Sequence, residues 1–256
     1  MGRNIKRILI FGDGFGIYQF IHNLIPFKVE TKVCVASIRD AGHVIPDFIQ
    51  PIKMANDYNY FIGEIENYFP DLILSNSYSM HIPKEILDIP ERGAINVHYS
   101  LLPRYRGANP IQWAVINGEI NTGVTMHYMT NTIDAGDIIA QRVVPIYDYE
   151  SWVSIVERCS DVAENLIKQE LPYILAGTNG RISQDETKAT HYPRRYPEDG
   201  EIIWAMPTID IYNKIRALVK PHPGAFYYNK KGEKIIIDTM KSREWIREMQ
   251  IKWWLR

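Results

Sequence analysis

Two cysteines in 256 residues are too few for a disulfide framework. Cys34 and Cys159 both lie in apolar surroundings and read as buried free thiols of a cytoplasmic protein. No apolar run approaches the roughly 20 residues of a membrane-spanning helix, so no membrane association is expected. The first residues, Met1 to Arg7, lead into a short apolar strand and a glycine loop, without the apolar core or cleavage site of a signal peptide. Gly2 is followed by Lys6 where a myristoylation signal carries Ser or Thr. Excess charge of one sign is also lacking, since 29 Lys and Arg face 30 Asp and Glu, which argues against an extended nucleic-acid surface. The seven histidines are scattered, with no Cys pair and no His-Glu-x-x-His, so no metal is expected. A Gly-x-Ser-x-Gly elbow, an internal repeat and a low-complexity segment are all absent from the sequence.

The 46% of hydrophobic residues supply a core for one large domain, or for a core domain with a small appendage. Ile8–Phe11, Lys32–Ala36, Leu72–Leu74 and Ala94–Val97 are short apolar runs. Helical spacing separates them, at Ile17, Phe20, Ile21 and Leu24, and again from Tyr60 to Phe69. This alternation predicts an α/β fold: a Rossmann-like open, mostly parallel sheet with helices on both faces. Thr122–Met129 and Ile138–Pro145 read as two further strands, and Val153 to Leu171 as a long helix stopped by Gly177. Thr178–Pro193 is polar and aperiodic and reads as a linker. Pro207–Leu218 then reads as a shorter helix, and Phe226–Ile237 as a hairpin around Asn229-Lys230-Lys231-Gly232. The expected division is a catalytic domain over 1–178 and a small C-terminal α+β subdomain over 191–256. The latter region carries 13 Lys and Arg against 8 Asp and Glu, which fits either a solvated surface or a part that meets an anionic ligand.

Gly12-x-Gly14-x-Gly16 after the first strand is one residue short of the dinucleotide fingerprint, and Glu30 precedes the second strand instead of ending it. A tight, closely packed strand-to-helix turn is the favoured reading over a nicotinamide or flavin site. The stronger signal is Asn96-Val97-His98, two side chains on one face of a strand, followed by a Ser100-Leu101-Leu102-Pro103 turn and Gly107-Ala108-Asn109-Pro110. A loop ending Asp134-Ala135-Gly136-Asp137 follows. An amide donor, an imidazole and a carboxylate are the groups needed to assist attack on a carbonyl and hold the resulting oxyanion. His127, on a strand without such company, reads as structural.

This ordered set of motifs resembles the folate-dependent formyltransferases, over roughly residues 5–175. Tyr192-Pro193-Arg194-Arg195, Ile215-Arg216-Ala217-Leu218 and Pro223-Gly224-Ala225-Phe226 look like the sugar N-formyltransferase subgroup. The resemblance implies 10-formyltetrahydrofolate as co-substrate and a nucleotide-linked amino deoxysugar as acceptor. Within the subgroup the expected acceptor is dTDP-4-amino-4,6-dideoxyglucose, for bacterial surface polysaccharide. Asn96, His98 and Asp134 are implied as the catalytic residues. Folate contacts are implied at Ser77, Tyr78, Met80, Asn131, Thr132 and Ile133. Acceptor contacts are implied at Arg104, Arg194, Arg216, Lys220 and Phe226, and a homodimer is implied as the assembly. Methionyl-tRNA as acceptor, another reaction of the same folate, and a non-catalytic nucleotide-sugar binder are the alternatives.

Overall fold

A computed structural model of the chain describes residues 5–12, 15–35, 51–53 and 58–255. Gly14 and the 36–50 stretch lie outside the described residues. By their chain contacts the residues form two compact units, neither of them continuous in sequence. The first comprises 1–98, 124–142 and 162–188, and the second 99–123, 143–161 and 189–256.

Strands β1 (Arg7–Gly12), β2 (Glu30–Val35), β3 (Pro51–Lys53), β4 (Leu72–Asn76) and β5 (Ala94–His98) pair in parallel in the order β3-β2-β1-β4-β5. β7 (Asn121–Tyr128) then adds antiparallel to β5, and β8 (Ile138–Pro145) follows it at the edge. The expected mostly parallel sheet is present. β3 was not foreseen, because three residues reading Pro-Ile-Lys carry no periodic signal.

The alternation of β1 fixes which helix covers which face. Leu9 and Phe11 join Ile73 and Ala94 in a cluster closed by Phe61, Ile65 and Tyr68 of α2 (Tyr58–Tyr68) and by Ile86 and Leu87 of the short α3 (Lys84–Leu87). Ile8 and Ile10 point to the opposite face and are fully buried. There α1 (Phe15–Leu24) packs on β1 and β4, with Ile17, Phe20, Ile21 and Leu24 all buried. Each such side chain taken out of water contributes about 1.5–3 kcal/mol before the entropy of ordering is deducted. Asp71 staples the sheet's lower end, its Oδ2 accepting the Lys6 and Arg7 amides at 2.7 and 2.9 Å.

The strand-to-helix turn at Gly12 and Gly16 is as close-packed as its glycines suggest. A Cβ on either would come within 2.8 or 2.6 Å of the Asn76 carbonyl oxygen. Asn76 in turn donates its side-chain amide to Gln19 at 2.7 Å, inside the core.

The second unit contains α4 (Pro110–Ile116), a short parallel pair of β6 (Arg106–Gly107) with β9 (His191–Tyr192), and α6 (Thr208–Leu218). The hairpin of β10 (Ala225–Tyr228) with β11 (Lys234–Ile237) and helix α7 (Arg243–Trp254) also belong to it. The hairpin turns where expected: Asn229 Oδ1 accepts the Lys231 and Glu233 amides, and Gly232 sits at φ 76°. The long helix α5 spans Trp152–Ala176 and ends at Gly177, which adopts φ 70°. The linker reading of Thr178–Pro193 is corrected, because the segment is pinned along its length. Ile182 bridges to Ile138, Ser183 donates to Asp137, and His191 and Tyr192 form β9. Its aperiodicity reflects bonding to many different partners one residue at a time.

Candidate active site

β5 has β4 on one side and β7 on the other, so its side chains have neighbours on both flanks. Asn96 and His98 share the face of Ala94, the face covered by α2. The antiparallel register places His127 directly opposite Asn96 and Thr125 opposite His98. Opposed residues of an antiparallel pair project to the same face. His127 therefore belongs to the cluster, and Asn96 Nδ2 lies 3.4 Å from its Nε2.

Asp134 arrives from the loop that follows β7. The loop leaves beside Ala94, where Met129 N–H donates to the Ala94 carbonyl at 2.7 Å. Gln184 then ties it down, donating to the Asp134 and Gly136 carbonyls at 2.7 Å each. Asp134 itself takes φ 53°, a left-handed conformation that Asp and Asn tolerate better than most residues. Two positions on, a Cβ at Gly136 would lie 2.0 Å from the Tyr128 carbonyl oxygen, so only glycine fits. The Asp-x-Gly spacing thus has a local cause: one residue turns the backbone and the other lets it pass against β7.

In this position the Asp134 carboxylate lies between two imidazoles. Oδ2 is 3.6 Å from His98 Nδ1, and Oδ1 is 3.5 Å from His127 Nε2. These are ion-pair separations, longer than a hydrogen bond. The rings are edge-to-face with centroids 6.3 Å apart. All three groups are nearly out of water, with side-chain exposures of 8%, 1% and 11% for His98, His127 and Asp134. His127 Nδ1 donates to the Tyr128 carbonyl at 2.9 Å, which fixes that nitrogen as the protonated one in the neutral ring. Its Nε2 then faces Asn96 and Asp134, where it can receive a proton. A half-buried amide, a carboxylate and two imidazoles make a site that can polarise a carbonyl oxygen and pass protons over short distances. Among the described residues no His, Cys, Asp and Glu grouping could hold a metal ion.

The other expected contacts fall into three sets. Ser77, Tyr78 and Met80 follow β4, and Asn131, Thr132 and Ile133 follow β7, so both groups flank β5 within the first unit. Ser77 has φ 56° and is exposed, as are Met80 and Asn131 to Ile133, whereas Tyr78 rests edge-on against Phe11 at 5.1 Å. In the second unit Arg194 is exposed, Arg104 pairs with Glu119, and Lys220 pairs with Asp238 at 2.7 Å.

Two acceptor contacts are corrected. Arg216 is 3% exposed, and its guanidinium donates to Asn213 Oδ1 and to the Tyr147 and Glu150 carbonyls at 2.9–3.1 Å. That is an internal staple, not a surface receptor for a phosphate. Phe226 is 4% exposed, with the Lys234 ammonium 3.7 Å from its ring centre and Tyr228 edge-on, so no face is open to a base. His127 is the residue the sequence reading passed over. Its strand parity was legible, but the register that sets it opposite Asn96 was not.

A family model described as formyl transferase matches residues 44–171, and one described as formyl transferase, C-terminal domain, matches residues 195–251. Among solved structures, a 4-N formyltransferase from Francisella tularensis is 22% identical, over 94% of this chain and 99% of its own, with a TM-score of 0.77. A sugar N-formyltransferase from Shewanella sp FDAARGOS_354 is 21% identical, over 93% and 98%, with a TM-score of 0.76. WlaRD, a sugar 3N-formyl transferase solved in the presence of dTDP and 5-N-formyl-THF, is 17% identical, over 93% and 96%, with a TM-score of 0.63. At these identities the likeness is one of fold.

Proposed function

The chain belongs to the formyl transferase family, and we propose that it moves the formyl group of 10-formyltetrahydrofolate onto the amine of a nucleotide-linked amino deoxysugar. The observation that carries this reading is the convergence of Asn96, His98, His127 and Asp134 in one nearly dry cluster. A sugar acceptor is supported by a fold held in common with sugar N-formyltransferases along almost the whole of both chains.

In this reading the acceptor nitrogen attacks the formyl carbon, and the carbonyl π electrons move onto oxygen. Asn96 Nδ2–H donates to that oxyanion, an interaction worth about 2.7–4 kcal/mol where such donors have been removed from other enzymes. The tetrahedral centre then collapses: the C–O double bond re-forms and the bond to folate N10 breaks. One proton leaves the acceptor amine and one arrives at N10, so the exchange is balanced. His98 and Asp134 are the groups that hold it in transit, and His127 keeps the carboxylate aligned from its other side. The products are tetrahydrofolate and a formamide.

The first acceptor to test is dTDP-4-amino-4,6-dideoxyglucose, with a 3-amino-3,6-dideoxy sugar next, in the context of bacterial surface polysaccharide and a cytoplasmic homodimer. Mass spectrometry after incubation with 10-formyltetrahydrofolate and a panel of dTDP- and UDP-linked amino sugars tests the acceptor class. The expected result is a gain of one formyl group on one panel member. Formylation of methionyl-tRNA, with every sugar unchanged, would overturn the acceptor while leaving the reaction in place.

A further inference from the structure

Asp134 sits at φ 53°, and a non-glycine residue stays in that sparsely populated region only where its surroundings over-determine it. Within the loop after β7, the Ala135 amide donates to the Thr132 carbonyl at 3.3 Å. That closes a four-residue turn with Asp134 in its third position, where some turn types take a positive φ. The bond is long, and it acts on the incoming side of Asp134. The outgoing carbonyls, those of Asp134 and Gly136, are held from outside the loop.

The holder is the stretch 179–184, which the sequence reads as part of a linker and which belongs to the same unit as the loop. Asn179 Nδ2 donates to the Tyr128 hydroxyl at 3.0 Å, and the Arg181 guanidinium lies 3.6 Å from the Tyr128 ring centre. Ile182 and Ile138 exchange both backbone hydrogen bonds, at 2.8 and 2.9 Å. Ser183 Oγ donates to Asp137 Oδ1 at 3.0 Å. Gln184 ends the strap, half-buried, with Nε2 donating to the Asp134 and the Gly136 carbonyls at 2.7 Å each.

A primary amide carries two N–H bonds on one planar nitrogen, and here both are used. Two carbonyls bound to one planar group cannot shift independently, so the amide sets the span of Asp134-Ala135-Gly136. From the other side Gly136 rests on β7, where a Cβ would lie 2.0 Å from the Tyr128 carbonyl oxygen. The turn is gripped between β7 and the Gln184 amide. The Asp134 carboxylate stands 3.6 Å from His98 and 3.5 Å from His127, so a small shift of the turn changes both contacts.

We propose that Gln184 is a positioning residue for formyl transfer: its amide clamp holds the Asp134 carboxylate at the two imidazoles, and it acts through Asp134 alone. The inference rests on the reading of Asp134 as a group that carries a proton in that reaction, and the experiment separates the two.

A residue that acts only through another has no effect once the other is removed, so a double-mutant cycle tests it. Kinetics of the full chain are followed with 10-formyltetrahydrofolate and the amino sugar that the wild type formylates. Gln184→Met keeps the length of the side chain and loses both donors. It is expected to lower kcat about 10- to 100-fold with the acceptor KM unchanged, since misplacing a reacting group by about 1 Å costs up to about 100-fold. In the Asp134→Asn background the same substitution is expected to change kcat less than about twofold. The ring resonances of His98 and His127 are expected to move in Gln184→Met without any substrate present. A wild-type kcat in Gln184→Met, an equal loss in both backgrounds, or unmoved imidazole resonances would overturn the proposal. A full rate in Asp134→Asn would overturn the reading of Asp134 and the clamp with it, whereas a slow Asp134→Asn beside a full-rate Gln184→Met strikes the clamp alone. Should Gln184→Met fail to fold, Gln184→Asn keeps the amide but ends one methylene short of its two acceptors. It is expected to lose kcat several-fold, again only where Asp134 is present, and a wild-type rate in it would overturn the proposal.

Discussion

Asp134 is held between His98 and His127 on a backbone that only a few residue types accept, so its charge and its conformation can be tested separately. Asn retains both the left-handed backbone and the size of Asp. Asp134→Asn is therefore expected to fold with an unchanged Tm and to lose at least about 100-fold in kcat, as removal of a proton-transfer group does. Asn96→Ala is expected to cost a similar factor, about 100- to 1000-fold, by withdrawing the oxyanion donor. Steady-state kinetics and thermal melts check both, and a full rate in either variant would remove that residue from the chemistry. The two cysteines behave oppositely to reactive groups. Both are fully buried, and burial raises both thiols, Cys159 up to about 12. Neither should react with an aromatic disulfide reagent at pH 8 in the folded protein, and both should react once it is unfolded. At this scale the sequence was informative for Asn96, His98 and Asp134, because spacing alone sets two of them on one face. It was uninformative for Arg216 and Phe226, because a cation and an aromatic look alike in sequence whether buried or exposed.

Among the elements, α6 is tied to the preceding chain by the Arg216 staple, whose three hydrogen bonds reach Asn213 and the carbonyls of Tyr147 and Glu150. Arg216→Met keeps the aliphatic stem but leaves the buried Glu150 carbonyl and the partly buried Tyr147 carbonyl without that donor. It is expected to lower stability by about 3 kcal/mol or more, since hydrogen bonds to charged groups are worth about 1.5–3 kcal/mol each. Denaturant melts read this directly, and the KM for the acceptor in the folded variant should be unchanged. A normal melt with a raised KM would restore Arg216 as an acceptor contact. Elements with a strong period were legible in the sequence: β1, β4 and β5 as apolar runs, and α5 as a long amphipathic stretch ending at Gly177. β3 and β9 were not, because two or three residues carry no period and such strands exist only through the neighbours they pair with. The register of β7 on β5 was equally hidden, and with it the place of His127.

For the whole molecule, the discontinuous make-up of the two units was the least legible feature. β7, β8 and α5 each begin in one unit and end in the other, so no shift in composition marks the change. Stability of the whole chain should carry the signature of His222, which burial and then Arg195 hold below its ordinary value of 6.5. The unfolded chain takes up this proton first as pH falls. The His222 contribution is therefore complete above about pH 6.5 and is lost as pH drops toward the lowered folded value. The wild-type Tm should fall more steeply between pH 7.5 and 5.5 than that of His222→Phe, and parallel slopes would contradict this. The central claim, that the Asn96, His98, His127 and Asp134 cluster transfers a formyl group from folate to an amine, is tested most directly by following tetrahydrofolate release from 10-formyltetrahydrofolate with and without the acceptor amine. Release that requires the acceptor, matches the formamide one to one and collapses in Asn96→Ala is the predicted result. Release that proceeds equally without acceptor, or that survives Asn96→Ala at full rate, would contradict it.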